Sequence, residues 1–476
     1  TTPLLRDLNM TAMSYNPLDG TVYRGGDNGF DIIAKTRTVS GSSNISLISY
    51  VDTDYNTGYM LGDIKGAYLA STDDTNISAD TLGSTNTIDG TFSSSTGWTV
   101  NDDWSISAGA ATCDGQNNGR FLYPSTDRWD IGTSVVVQVT VDSVSNGTLA
   151  VSYGTGAATS GTEMTTPGTY YHVGEVDGNT LVYLRSESFQ GQIDDVKIYP
   201  AEADRSINNK GLAVVGTIEK HAVATGAELV GYRANSSSEG TNYLTMPLSS
   251  SIFDLTSDWS INFWAKNNGN TGSNYSGFEI SPDDISGSSG SYAIIPISMY
   301  IQPDGVLGLR GAGVTAIDAH APYTHPLATT GVWRCFNIVS QSGNLYLYID
   351  GDLNRTTTGT FTNPGVAYSL NIFRWSYHTT RYDGRRHIDF SLFRLSESAP
   401  TSEQVKKMYD DEKLLFRENA KCTISGATSA VKALGFDDTT NILHVGTASG
   451  RSEFQGLNRI NNTTTAVTTA ISASNG

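Results

Sequence analysis

The residues best suited to chemistry lie between 374 and 386: Arg374, Trp375, Tyr377, His378, Arg381, Tyr382, Arg385 and Arg386. No other stretch of the chain gathers aromatic and cationic side chains so densely. Aromatic faces stack on sugars, and arginine forks pair with carboxylates or sulfates. The cluster predicts a binding site for an acidic surface polysaccharide, with Arg374, Trp375, Tyr377, Tyr382, Arg385 and Arg386 as its contacts. A plainer reading stands beside it: Phe373 and Trp375 as core strand residues, and the arginines simply solvated. A second pair of rings, Tyr123 and Trp129, flanks a Pro-Ser-Thr-Asp loop and is expected to be exposed enough to touch a sugar. Trp98 and Trp104 are expected in the core. His320 and His325, five residues apart, are too sparse a pair to define a metal site.

Hydrolysis of a glycan needs two carboxyl groups facing the sugar. On a strand these would sit at alternate positions, because alternate residues share a face. Ser281-Pro282-Asp283-Asp284 instead puts two acids side by side after a proline. No Ser/His/Asp pattern stands out either. The chain is expected to be non-catalytic.

Composition points the same way. There are 476 residues, 49 of them glycine, and only 16% are charged. Such a chain suits short strands and many turns spread over several domains. The formal net charge of −18 argues against nucleic acid and anionic membranes as partners, since both call for clustered Lys and Arg. Cys113, Cys335 and Cys422 are far apart and odd in number, so buried free thiols are expected rather than a disulfide framework. No run approaches 18 apolar residues, so no membrane helix is expected. The chain begins Thr1-Thr2-Pro3 and ends inside a repeat, which suggests a processed piece of a longer protein.

The elements that must position the candidate residues are strands. Turn dipeptides recur at Asp19-Gly20, Asp89-Gly90, Asn146-Gly147, Asp177-Gly178, Asp304-Gly305 and Asp350-Gly351. Each is flanked by β-branched or aromatic residues, which is a hairpin signature. One helix is predicted from Ser402 to Phe416, with Thr401 and Gln404 as its capping box and Glu412 as a single polar break in its apolar face. Residues Tyr15, Gly25 and Gly29 recur as Phe436, Gly446 and Gly450, each 421 residues later. A third copy is read at Gly62 and Gly66. The spacing of about 40 residues fits propeller blades, and further blades or copies would be needed to close a ring.

The strings FDLTSDWSINFWAKNN, GVWRCFNIVSQSGNLYLYIDGDLNRTTTG and HIDFSLFRLSESAPTSEQVKKMYDDEK resemble, in order and spacing, the laminin-G-like, concanavalin A-like sandwich family. The text IDGTFSSSTGWTVNDDWSISAGAATCDG, closed by FQGQIDDVKIYP, resembles jelly-roll carbohydrate-binding modules. In those modules the terminal strands often hold a structural calcium ion. The resemblance implies calcium here on Asp194 or Asp195, with Asp89 or nearby carbonyls, because calcium takes six to eight oxygens, which short acidic loops supply. The linking text resembles virion proteins of bacteriophages, notably marine ones, that join the same two modules.

These readings give an all-β, multidomain chain. Residues 1–72 and 417–476 are propeller-like β repeats, 73–205 a jelly-roll β-sandwich, and 206–416 a concanavalin A-like sandwich with one short C-terminal helix. The resemblance implies a phage tail-fibre-type adhesion protein, located on the virion or outside the cell. Its expected partners are host cell-surface polysaccharide, other virion proteins and further copies of itself. A virion scaffold making only protein contacts, a polysaccharide-degrading enzyme and a bacterial surface adhesin are the alternatives.

Overall fold

The computed structural model describes residues 10–467 apart from 36–44, 61, 83–88, 118, 127, 155–159, 207, 236–241, 270–275, 283–294, 302–306, 312–316, 319–326, 328, 378–379 and 384–387. The fold is all-β, with one α-helix longer than a single turn among the described residues.

The two ends form matching four-stranded meanders. The first runs through Ala12–Tyr15, Val22–Gly26, Gly29–Lys35 and Ile45–Val51, the second through Val431–Asp437, Ile442–Thr447, Gly450–Gln455 and Asn458–Thr463. Their registers coincide under the 421-residue offset. Tyr15 faces Val22 as Phe436 faces Leu443, and Gly25 faces Phe30 as Gly446 faces Arg451. The meanders pack on each other, with Tyr23 stacked on Phe436 at 5.5 Å and Phe30 edge-on to Phe454 at 5.4 Å. Gly25 lets them approach: a Cβ there would lie 2.5 Å from Val431 Cγ1. The third copy read from the sequence is not a blade. Its Ile64–Tyr68 strand pairs instead with Ile388–Ser396 of the second sandwich, and Tyr68 and Leu69 are fully enclosed in that sandwich's core. The Gly-x-x-x-Gly spacing is the same, but the apolar residues that follow it bury elsewhere.

The first sandwich is built on two long antiparallel strands, Ser134–Tyr153 and Val182–Pro200, paired along their length through several register shifts. Asn146-Gly147, expected as a hairpin turn, falls inside the first of these at such a shift opposite Ser188. It bends a strand rather than reversing it. The bends let each long strand serve both sheets of the sandwich. Trp98, Trp104, Leu122 and alternate valines from Val135 to Val141 fill the core.

The second sandwich packs a seven-stranded sheet on a nine-stranded one. Phe263 is central, with Phe336 and Phe393 stacked on it and Phe278 and Phe390 edge-on. Asp350-Gly351 turns the chain between Asn344–Ile349 and Asp352–Thr358, both residues at positive φ as a two-residue hairpin requires. Ile77–Ser78 joins the edge of the nine-stranded sheet against Thr217–Ala222.

The helix Ser402–Glu412 starts at the Thr401/Gln404 capping box and tightens into a 3₁₀ turn, Lys413–Phe416. Glu412, the polar break of the sequence pattern, is completely buried and ion-paired with the equally buried Arg394. Its carboxylate also accepts bonds from Trp264 Nε1 at 2.5 Å and the Tyr59 amide at 2.7 Å. One carboxylate therefore ties the helix, the second sandwich and the segment leaving the first meander into one network. Gly58 is required beside it: the backbone is at φ +73°, and a Cβ would strike the Arg394 guanidinium.

Candidate ligand-binding crevice

The two sandwiches meet along the strand Gly168–Glu175 of the first and the strands Tyr243–Leu248 and Tyr368–Ile372 of the second. The contact is firm to one side, where Val136, Tyr199 and Ala213 form a small shared core and Tyr199 Oη donates to Val214 O at 3.0 Å. Beside it the sheets part into a crevice of about 200 Å³ that opens at Pro247 into a wider lobe of about 660 Å³.

Strand alternation builds the crevice floor. Leu244, Met246, Leu370 and Ile372 point into the sandwich core, so Thr245, Ser369 and Asn371 point outward. They belong to a polar row crossing five strands: Thr245 opposite Asn371, Asn371 opposite Glu279, Glu279 opposite Ser298, and Ser298 opposite Arg310. Its middle is hydrogen-bonded through Ser281. Ser281 Oγ donates to Glu279 Oε1 at 2.9 Å, Asn371 Nδ2 to Ser281 Oγ at 3.3 Å, and Arg374 Nη1 reaches Asn371 Oδ1 at 3.5 Å.

Two aromatic rings and one cation make the walls. Arg374 lies over the Tyr243 ring, 3.5 Å from its centroid, a distance at which the ring quadrupole attracts the guanidinium. Tyr171 approaches from the first sandwich, packing on both the shared core and the main core of the second. Burial, then Tyr243 and Asp195, push its phenol up to about 12 against the pull of Arg374. Tyr171 thus stays a neutral hydroxyl, able to donate and accept. Its neighbour His172 faces the other way, opposite Val137 of the first core. Burial drives the His172 pKa down to about 4.

The structure brings few of the expected contacts to this place. Arg374 is at the crevice wall. Trp375 is not an exposed ring: it is 4% exposed and packed on Tyr300 at 5.0 Å, which removes it from the sugar contacts. Tyr377 and Tyr382 lie on the hairpin Arg374–Tyr377/Thr380–Asp383, but their side chains, and Arg385 and Arg386 altogether, are outside the described residues. Tyr123 is half-buried on another face, against Tyr183. Trp129 packs on the first core. Asp89 is half-buried and sits in a local turn, its carboxylate accepting from the Thr91 amide and hydroxyl and from Ser93 and Ser94. Asp194 accepts from the Asp195 amide at 2.7 Å, and Asp195 from Gln138 Nε2 at 3.0 Å. Among the described residues no group of three or more His, Cys, Asp or Glu is arranged to hold a metal ion, so Asp89, Asp194 and Asp195 do not form one. Tyr171, Tyr243 and Asn371 escaped the sequence reading. Their strands alternate legibly, but only the docking of the first sandwich singles out this polar face.

Residues 238–406 match the family model described as the concanavalin A-like lectin/glucanases superfamily. The second sandwich is a concanavalin A-like domain. Among solved structures, the chain is similar to the receptor binding domain of botulinum neurotoxin C/D mosaic serotype, with 13% identity, a TM-score of 0.33, and coverage of 54% of this chain and 59% of that one. It is also similar to the botulinum neurotoxin type G receptor binding domain, with 12% identity, a TM-score of 0.32, and coverage of 44% and 48%. In both cases the alignment spans less than two thirds of the other chain. No curated protein matches.

Proposed function

We propose that the chain is a non-catalytic, glycan-binding adhesion protein whose concanavalin A-like domain takes its ligand in the crevice roofed by the first sandwich. The observation that carries this reading is the crevice itself: a polar floor of Thr245, Ser369 and Asn371 between the Tyr171 and Tyr243 rings, with Arg374 at the wall. Sugars present hydroxyls that donate and accept, with apolar C–H faces between them, and such a site supplies both kinds of partner. Hydrolysis fits less well, because the five-strand polar row holds one carboxylate, Glu279, where a glycosidase needs two.

The finer reading is a tail-fibre-type protein presented on a phage virion and directed at host surface polysaccharide. It is supported by the phage-like linking text and by the multi-module build. A shallow site gains avidity of order 10²–10⁴ from repeated copies on one particle. A virion scaffold is the second reading. Its support is the apolar strip on the first meander, where Met10, Met13, Tyr15 and Leu18 are each more than half exposed.

The test is a panel of bacterial surface polysaccharides probed with the whole chain, with and without a calcium chelator. Saturable binding weakened by Tyr171→Ala and Arg374→Ala supports the crevice. A chelator-sensitive result would bring calcium in. No binding to any glycan, with assembly abolished by Met13→Asp, would replace adhesion with the scaffold.

A further inference from the structure

The first sandwich turns a second face outward, away from the crevice, and its chemistry is different. In the sheet formed by the strands Ser134–Tyr153, Val182–Pro200, Arg120–Pro124 and Trp98–Val100, alternate residues enter the core: Val151, Leu184, Leu122 and Trp98. Their neighbours therefore face out. Ser152 is opposite Tyr183, and Tyr123 is opposite Thr99; Phe121 is opposite Arg185. The three rings touch. Tyr183 lies 5.2 Å from Phe121 and 5.0 Å from Tyr123, tilted or edge-on to each. All three are half-buried rather than enclosed.

Polar groups rim the rings. Asn179 Nδ2 donates to Tyr183 Oη at 3.2 Å, and Thr99 and Ser125 share a hydroxyl contact at 2.9 Å. Ser152, 1% exposed and beside Tyr183 in the row, has no hydrogen-bond partner for its hydroxyl among the described residues. The cation on this face, Arg185, is paired with Glu187 at 2.6 Å.

We propose that this face is a second glycan-binding surface, independent of the crevice, that takes neutral hexose chains. Half-buried rings in mutual contact offer C–H faces a stacking surface without requiring a cavity, and hydroxyls at the rim give direction. The face favours neutral over acidic sugars because its arginine already has a carboxylate. Each chain would then hold polysaccharide at two places on opposite sides of one rigid sandwich.

The test is affinity electrophoresis of the whole chain in gels containing dextran, mannan or a β-glucan. Retardation of the parent chain by a neutral polysaccharide is expected. Tyr183→Ala should weaken it about tenfold in Kd, while Arg374→Ala and Tyr171→Ala leave it unchanged. In the unmodified chain, tetranitromethane nitration of Tyr123 and Tyr183, read by peptide mass, should be slowed by the same polysaccharide, and this holds the test open even if Tyr183→Ala fails to fold. Absence of retardation in every neutral gel overturns the proposal, as does retardation lost with Arg374→Ala but kept with Tyr183→Ala, or nitration unaffected by ligand. Binding confined to acidic polysaccharides through Arg374 would also overturn it, while leaving the crevice intact.

Discussion

The concanavalin A-like domain and the first sandwich each turn a sheet face outward, and the two faces carry opposite chemistry. On the first, Thr245, Asn371, Glu279 and Ser298 form a polar row across neighbouring strands, each under a tenth exposed and shut in partly by the neighbouring sandwich. On the second, Phe121, Tyr123 and Tyr183 are half-buried rings in mutual contact, with polar groups only at their rim. An enclosed polar row discriminates by matching donors to acceptors, since a mismatch leaves a buried group unpaired. An aromatic row discriminates weakly and gains from area. An outward sheet face thus acquires selectivity from what covers it as much as from its own residues.

The largest effect is expected where the helix packs on the nine-stranded sheet, across the core from the polar face. Glu412→Ala leaves the Arg394 guanidinium buried and unpaired, and should cost about 3–5 kcal/mol. Calorimetry should then show the concanavalin A-like domain melting early while the first sandwich keeps its transition; a single unchanged transition would contradict the network. Acid should act on the other partner. His172 is buried with a pKa near 4 against an ordinary 6.5. The unfolded chain takes up a proton below about 6.5 while the folded one does not, so stability falls as pH drops from about 6.5 to 4, by about 3 kcal/mol. His172→Phe should flatten that slope in thermal melts of the first sandwich. Arg374→Gln removes the cation on Tyr243 and should lower crevice affinity about tenfold, with the melting temperature nearly unmoved. The smallest effect is at the helix: Thr401→Ala removes half of the capping box and should cost about 1 kcal/mol, without changing either binding face.

Much of this arrangement was legible in the sequence, and the misses have physical causes. The 421-residue repeat was readable because two glycines and two β-branched runs fix a hairpin register locally. The same glycine spacing at Gly62 and Gly66 misled, because whether Tyr68 lies in a blade or another sheet depends on a partner strand more than 300 residues away. Glu412 looked like a flaw in an amphipathic pattern, and its meaning lies with Arg394 on a different element. Trp375 and Arg374 are adjacent, yet one ring is core and one guanidinium lines a crevice. Strand alternation separates the two, but does not say which side is covered.

The clasp between the two terminal meanders also has a consequence in time. Thr11 donates to Val431 O across 420 residues, and the shared core draws on both meanders and the helix. Contacts so remote in sequence form late unless something shortens the loop between them. The two sandwiches do so when they fold, bringing the ends within reach. The meander pair should therefore be the last part of the molecule to close and, once closed, a latch that slows its opening.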